Sequence, residues 1–295
     1  MIGEVQTMTV QTPDDRELCV EVAGDPSGRP VLIHSGTPNS RHMYGPWIED
    51  AETRGIKLFC YDRPGYGGST PQPGHSVADG AADVRAIAEA LQADRLGVWG
   101  MSGGGPYALA SAALLPDLVV AVGVVASIAP WGAPGLDFFT GMGEDNVEDI
   151  ELFFSDREAA RKKGAQEREE LLSVTADQVT KGWESLVSEA DAAVLTRDFA
   201  EQLVRDFQDG LAPGDQGWWD DNVSHLSPWG FELDSVRVPV KIWHGHQDRF
   251  VPVQHGQWLA AHVPGAEADI SETDGHLTLL VNRVPEVHER LLGRF

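Results

Sequence analysis

The chain has 295 residues, of which 42% are hydrophobic and 23% are charged, and its mean hydropathy is −0.23. This composition is typical of a folded globular protein and excludes a largely disordered chain. A net charge of −24 disfavours nucleic acids and anionic membranes as partners, because binding phosphates requires clustered Lys and Arg. We find neither an apolar run of the roughly 18 residues that a membrane helix needs nor a signal-peptide pattern. We therefore expect a cytoplasmic protein that does not bind membranes.

Short β-branched runs alternate with Ala-rich helical segments between Val31 and Ser127. This alternation is typical of βαβ units, so we predict an α/β fold with a mostly parallel eight-stranded sheet flanked by helices. The first two strands flank Pro13-Asp14-Asp15 and are predicted to form a hairpin. The predicted strands are Val5–Val10, Leu18–Ala23, Val31–His34, Lys57–Tyr61, Leu96–Met101, Val119–Ser127, Val238–His244 and Ala268–Ser271.

A Pro- and Gly-rich segment at residues 129–135 ends this alternation, and about a hundred residues of helical pattern follow. We predict amphipathic helices over Asp145–Lys163, Thr175–Val187 and Ala190–Phe207. The chain is thus divided into a core, residues 1–128 and 232–295, and an inserted helical cap, residues 129–231. The cap holds 22 acidic against 8 basic residues, which we interpret as solvated helix faces. A preference for neutral or cationic substrates is the alternative interpretation.

The strongest local motif is Gly100-Met101-Ser102-Gly103-Gly104, a G-x-S-x-G between an apolar strand and a predicted helix. A sharp strand-to-helix turn strains the central residue and brings neighbouring backbone close, so small residues are needed two positions to either side. Gly100 and Gly104 meet this requirement. The pattern predicts Ser102 as a nucleophile at the start of a helix.

A serine hydroxyl needs a neighbouring base, which we predict to be His276 in the loop after the last strand. The base in turn needs a carboxylate, which we predict to be Asp248, after the preceding strand. The order Ser102, Asp248, His276 is the order expected for an elbow nucleophile of this kind. His244-x-His246 has no third ligand at a suitable spacing, so we expect no metal. The alternatives by position are Asp137 for the acid and His244, His246, His255 and His262 for the base.

Acyl transfer also requires N–H groups directed at the tetrahedral oxygen. One is predicted to be the amide of Gly103, which follows the nucleophile. The other is expected from the loop His34-Ser35-Gly36-Thr37-Pro38 after the third strand, where Gly36 permits close backbone approach.

Three motifs resemble the α/β-hydrolase superfamily, and with the segments Gly245-x-x-Asp248-x-x-Val251-Pro252 and Gly275-His276 the resemblance covers residues of about 31–130 and 232–280. The three motifs are the His34–Arg41 loop, the elbow at Ser102, and Asp62-Arg63-Pro64-Gly65-Tyr66-Gly67-Gly68-Ser69, which is similar to the family's DRPGYG-x-S turn. The resemblance implies a serine-nucleophile, esterase-like member without a cofactor, in which Asp62 and Arg63 are structural turn residues. Ser35 stands where the family usually has His. If Gly36-Thr37-Pro38 is aligned with the family's motif, the second oxyanion donor is the Thr37 amide, and if the alignment is shifted it is the Gly36 amide.

The resemblance also makes the cap a lid over the nucleophile, and this lid is rich in large apolar side chains. We expect a part of them, with Met101, to line an apolar substrate pocket. The predicted pocket residues are Met101, Trp131, Phe138, Phe139, Met142, Trp218 and Trp219, and further candidates are Phe153, Phe154, Trp183 and Trp229.

The predicted function is hydrolysis of a small to medium hydrophobic carboxylic ester through an acyl-enzyme on Ser102. Amidase, lactonase, thioesterase and C–C bond hydrolase activities use the same three residue types and stay open. A cofactor-free perhydrolase, cyclase or lyase is a further alternative, as is a non-catalytic protein that binds a small ligand. Either a monomer or a homodimer is compatible with the sequence.

Overall fold

The computed structural model describes residues 5–179 and 185–295, and within them an eight-stranded sheet forms the centre of the molecule. The strand order is β1-β2-β4-β3-β5-β6-β7-β8. Strand β2 is antiparallel to both of its neighbours, and the pairs from β4 to β8 are parallel. The strands are β1 (Gln6–Gln11), β2 (Glu17–Gly24), β3 (Arg29–His34), β4 (Ile56–Tyr61), β5 (Leu96–Met101), β6 (Val119–Val125), β7 (Val240–Gly245) and β8 (Glu267–Ser271).

The predicted sheet is confirmed, with strand ends that differ from the prediction by at most two residues. The N-terminal hairpin is also present, as β1 pairs antiparallel with β2. Because β3, β5, β7 and β8 run parallel, the loops that follow them meet at one edge of the sheet. His34 lies opposite Gly100 in this register, which brings the loop after β3 beside the Ser102 turn.

Helices cover both faces of the sheet and fill the chain between β6 and β7. None of those in the two described ranges is long and apolar enough to cross a bilayer. The helices are α1 (Gly45–Arg54), α2 (Gly80–Ala90), α3 (Gly105–Leu114), α4 (Glu144–Ser155), α5 (Arg157–Ser173), α6 (Ala176–Val179), α7 (Glu189–Val194), α8 (Arg197–Leu211), α9 (Gln216–His225), α10 (Val253–His262), α11 (His276–Asn282) and α12 (Val284–Leu292).

Two long helices predicted in the inserted segment are each broken in two, so their prediction as single helices is wrong. Asp156 has an extended backbone and accepts hydrogen bonds from Glu158 and Ala159 N–H groups, which ends α4 and caps α5. Thr196 similarly accepts from the Phe199 N–H at the start of α8. Such side-chain caps compete with helix continuation, although the hydrophobic periodicity runs across the break.

The helix predicted over Thr175–Val187 is present only as the short α6 within the described residues, and residues 180–184 lie outside them. Helices α1 and α9 were not predicted. Helix α1 begins with Gly45-Pro46, a pair that also marks turns. Helix α9 contains adjacent Trp and Asp residues that are weak helix formers, and its stability depends on tertiary contacts.

Apolar side chains form a core layer on each face of the sheet, so that Leu32 packs in one layer and Val31 and Ile33 in the other. The second layer extends into the inserted segment, because Phe199 and Phe207 of α8 are buried in it. Burying a Phe side chain contributes roughly 1.5–3 kcal/mol, so α8 is attached to the sheet domain by a continuous core.

Candidate active site

Ser102 occupies a sharp turn between β5 and α3, and its backbone φ of 50° lies in the left-handed region. This conformation costs a non-glycine residue of order 1–3 kcal/mol and is typical of functional sites. A Cβ on Gly100 would collide with the Gly104 carbonyl, and a Cβ on Gly104 would collide with the His34 carbonyl. The turn therefore requires glycine at both positions and holds Ser102, which is partly exposed, above the sheet edge.

Asp248 and His276 are joined by a hydrogen bond of 2.8 Å between Asp248 Oδ2 and His276 Nδ1. The other oxygen of Asp248 accepts from the Val251 N–H at 2.8 Å, so the buried carboxylate is held in one orientation. Burial opposes its ionisation, but His276 and His244 outweigh that cost and lower the pKa of Asp248 to about 2. Asp248 is thus an anionic acceptor, and His276 Nδ1 is the donor.

The His276 ring is buried against Phe250, with 4.7 Å between the ring centroids. Burial by itself would lower the pKa of His276, but the carboxylates of Asp248 and, less strongly, Asp191 raise it above its ordinary value. Because Nδ1 carries the proton that is donated to Asp248, the neutral ring presents Nε2 as its free base. This arrangement can remove a proton from a hydroxyl group.

The loop after β3 lies against the Ser102 turn at two points. A Cβ on Gly36 would lie 3.5 Å from the Cβ of Ser102, and a Cβ on Gly103 would collide with the Thr37 side chain. The Gly103 N–H belongs to the first turn of a helix, where amides have no intrahelical acceptor. The three predicted oxyanion residues are therefore neighbours, although the His34 ring itself points into the core, where it lies 3.3 Å from Ser111 Oγ.

Other candidates of the sequence analysis have different surroundings. His255 accepts from the Ala129 N–H at 3.1 Å, and its other ring nitrogen lies 2.9 Å from the Phe138 carbonyl. His262 stacks on Trp258, and the exposed Asp137 accepts hydrogen bonds within its own turn. His244 is buried, whereas His246 is exposed. Among these side chains, only His244 approaches Asp248, with 3.5 Å between His244 Nε2 and Asp248 Oδ2.

A family model described as the alpha/beta hydrolase fold matches residues 29–282. The chain belongs to the α/β-hydrolase family. The AB hydrolase superfamily protein YisY of Bacillus subtilis is 26% identical over 272 residues, which are 90% of this chain and 91% of that protein. A 2-hydroxy-6-oxononadienedioate/2-hydroxy-6-oxononatrienedioate hydrolase of Cupriavidus pinatubonensis is 22% identical, over 83% of this chain and 79% of that protein. A thermophilic esterase from Thermogutta terrifontis superimposes with a TM-score of 0.70 at 19% identity, over 98% of both chains.

This hydrolase has a buried ion pair beside its elbow, formed by Arg63 of the turn after β4 and Asp221 of α9. The guanidinium Nη2 donates to Asp221 at 2.6 Å and also binds the Gly36 carbonyl and the Thr37 hydroxyl, both at 2.9 Å. Thr37 Oγ1 in turn donates to Asp221 at 3.0 Å. The pair therefore fixes the loop after β3 relative to the inserted helices.

Two tyrosines also bind Asp221. Tyr66 and Tyr107 donate their hydroxyls to the carboxylate at 3.0 and 2.8 Å. Burial opposes ionisation, but Arg63 outweighs it and holds the pKa of Asp221 well below its usual range. Next along α9, His225 Nε2 lies 2.8 Å from the Gly103 carbonyl, and burial lowers the pKa of this ring to about 4. The neutral His225 therefore donates to the backbone of the elbow itself.

Four acidic residues of the inserted segment, Asp191, Asp206, Asp220 and Asp221, are buried, so the interpretation of its acidic excess as solvated helix faces is wrong for them. Asp191 accepts from backbone N–H groups at the start of α11, the helix of His276. Asp206 accepts from the Ser40 hydroxyl at 2.8 Å, in the loop after β3. Asp221 binds Arg63 as described. Asp191, Asp206 and Asp221 thus each contact a segment of the site, and only tertiary contacts distinguish these acids from exposed acids of the inserted segment.

The predicted pocket residues lie in different places. Trp131 and Phe138 pack on each other with 4.9 Å between ring centroids, and Phe139 joins this cluster. Trp219 packs on Phe153. Trp183 lies outside the described residues. Met142 lines a surface depression, and Trp218 lies in α9.

Met101 lines an internal cavity of about 20 Å³ next to the elbow. Its apolar walls come from the core and from α8, and its polar atoms come from the loop after β3 and from α8. The lining residues are Ser35, Asn39, His42, Tyr44, Trp47, Met101, Phe199, Gln202, Leu203, Asp206 and Leu280. A cavity of this size holds about one water molecule.

Proposed function

We propose that the chain is a serine hydrolase that cleaves small to medium carboxylic esters, with Ser102 as nucleophile. The observation that supports this most strongly is the 2.8 Å hydrogen bond from His276 Nδ1 to the ionised Asp248, at the same sheet edge as the strained Ser102. A base oriented by a buried carboxylate is what a serine nucleophile requires.

In this mechanism His276 Nε2 removes the proton of the Ser102 hydroxyl as Oγ attacks the ester carbonyl carbon. The N–H of Gly103 and that of Thr37, or of Gly36 in the shifted register, stabilise the tetrahedral oxyanion. The imidazolium then protonates the departing alkoxide, and Ser102 retains the acyl group. Water attacks this ester while His276 Nε2 removes its proton, and the imidazolium then returns that proton to Ser102 Oγ as the carboxylic acid leaves.

Cavity size and charge support the proposed substrate class. The narrow cavity beside Met101 favours a short acyl group over a long chain. The net charge of −24 disfavours dianionic substrates, because a strongly acidic protein repels them during encounter. We therefore propose neutral esters with a short acyl group and an apolar or aromatic alcohol.

Acyl-enzyme formation tests this proposal directly. With p-nitrophenyl acetate or butyrate we expect a burst of p-nitrophenol followed by steady turnover, and mass spectrometry of the rapidly quenched protein should find the acyl group on the Ser102 peptide. A fluorophosphonate probe should label the same serine. Absence of both labelling and ester turnover would contradict the proposal, and tight binding of a small molecule without labelling would favour a binding protein. Parallel assays of anilides, lactones, thioesters and C–C bond substrates distinguish the sister activities.

The pH dependence of turnover provides a further prediction. His276 acts as a base only when neutral, and Asp248 and Asp191 raise its pKa above the ordinary value of about 6.5 despite burial. We therefore expect kcat/KM to fall as the pH decreases through this raised pKa, with the midpoint of the acid limb above 6.5. The measurement is kcat/KM for p-nitrophenyl butyrate between about pH 5 and 8, corrected for spontaneous hydrolysis. An acid limb centred well below 6 would disagree with this electrostatic environment.

A further inference from the structure

Helix α11 begins at His276 itself, and the residue before it cannot cap it. Gly275 occupies the N-cap position and has no side chain to accept a hydrogen bond from the first amides. Instead, the N–H groups of His276, Leu277 and Thr278 donate to the carboxylate of Asp191, at 3.0, 2.7 and 2.9 Å. An acid 85 positions earlier in the chain thus provides the cap of the helix that carries the proposed base.

The Asp191 carboxylate is buried and belongs to α7 of the inserted segment. It also accepts from the Ser188 hydroxyl at 3.0 Å. A Cβ on Gly275 would collide with this carboxylate, so the glycine allows the acid to approach the backbone. All of these partners are neutral N–H and O–H donors, which is the coordination expected of an ionised, acceptor-only carboxylate.

The charged groups around His276 come from several elements. Asp248, after β7, binds Nδ1, and Asp191 approaches from α7. Asp274, in the loop before α11, is paired with Arg283 at 3.0 Å. His244 of β7 lies 3.5 Å from Asp248. Asp191 is therefore the second carboxylate near the ring and the one contributed by the inserted helices.

We propose that Asp191 is a positioning residue for His276, which fixes the start of α11 through three backbone hydrogen bonds and stabilises the imidazolium by its charge. This inference rests on the proposed function for its kinetic consequences. It makes catalysis dependent on the docking of α7, because displacement of that helix removes both the cap of α11 and a negative charge from the base.

Asp191→Asn tests the inference, since it removes the charge and retains one acceptor oxygen. The matched control is Asp156→Asn. Asp156 also caps a helix, α5, by accepting hydrogen bonds from backbone N–H groups, but its side chain is exposed. NMR of histidines labelled at Cε1, with the His276 signal assigned from His276→Gln, measures the His276 pKa without any substrate. We expect this pKa to fall in Asp191→Asn and to stay unchanged in Asp156→Asn.

In steady-state kinetics we expect Asp191→Asn to lower kcat roughly 10- to 100-fold with KM changed less than about threefold, and to move the acid limb to lower pH. If this variant does not fold, Gly275→Ala displaces the carboxylate while leaving its charge, and should lower kcat in the same way. A His276 pKa and a kcat equal to those of Asp156→Asn would overturn the inference. The NMR measurement needs no substrate, so it tests the role of Asp191 independently of the proposed function. The proposed function is contradicted instead if the wild-type protein hydrolyses no ester.

Discussion

Replacing Ser102 with alanine is expected to lower kcat for p-nitrophenyl butyrate by roughly 10⁴- to 10⁶-fold. The reason is that the bond-forming atom is lost, whereas the oxyanion N–H groups and the His276–Asp248 hydrogen bond remain. Alanine is smaller than serine, and the elbow is already held by contacts of Gly100 and Gly104. We therefore expect the variant to stay folded, so that circular dichroism is unchanged while burst and turnover are both lost.

Ser111→Ala is the matched control, because Ser111 lies in α3, the helix that follows the elbow, and donates to the Tyr107 carbonyl at 2.9 Å. Its kcat should stay within about threefold of the wild-type value, as expected for a serine outside the proposed chemistry. Activity that survives in Ser102→Ala and disappears in His276→Ala would contradict the acyl-enzyme mechanism. That result would instead favour perhydrolase, cyclase or lyase chemistry in which the histidine acts without the serine.

Asp221→Asn is expected to lower the free energy of unfolding by about 3–5 kcal/mol. The substitution leaves the fully buried Arg63 guanidinium without its counter-ion, and an uncompensated buried charge is among the most destabilising changes in a protein. Because Arg63 also holds Gly36 and Thr37, turnover by the remaining folded protein should decrease as well. Urea unfolding followed by tryptophan fluorescence measures the first effect, and ester hydrolysis at low temperature the second.

The control for this change is Asp117→Asn, which removes an ion pair with Arg85 in which both side chains are exposed. Solvent screens such a pair, so a much smaller loss of stability is expected.

The contribution of Asp221 to stability also depends on pH, since its folded-state pKa is depressed. Stability from this group is complete above the ordinary Asp pKa of about 4 and is lost as the pH falls below it. Equal unfolding free energies for the two variants would show that the buried pair is not a stability determinant.

Local sequence patterns were sufficient to predict the sheet and the elbow. Strands β3, β5 and β6 contain short apolar runs, rich in valine in β6, which are typical of a buried parallel sheet. The elbow has its own local requirement, because a strand-to-helix turn at Ser102 admits only glycine at positions 100 and 104. Asp248 and His276 could be chosen among many acids and histidines by their places after β7 and β8, and the structure brings them within hydrogen-bonding distance.

Helix boundaries in the inserted segment could not be predicted in the same way. Hydrophobic periodicity continues across Asp156 and Thr196. It therefore gives no indication that these side chains cap a new helix. Helix α9 has weak intrinsic propensity and is held by Asp221, whose partners lie far away in the chain.

The sequence by itself determined the fold class, the succession of strands along the chain and the residue types of the proposed nucleophile, acid and base, because each is indicated by patterns that span a few neighbouring positions. Only the tertiary structure decided which of the acids in residues 129–231 are buried. Asp191, Asp206 and Asp221 resemble their exposed neighbours in local sequence, and a buried carboxylate is stable only where distant N–H, hydroxyl or guanidinium groups converge on it. Those donors belong to α11, to the loop after β3 and to Arg63, and the folded chain brings them together.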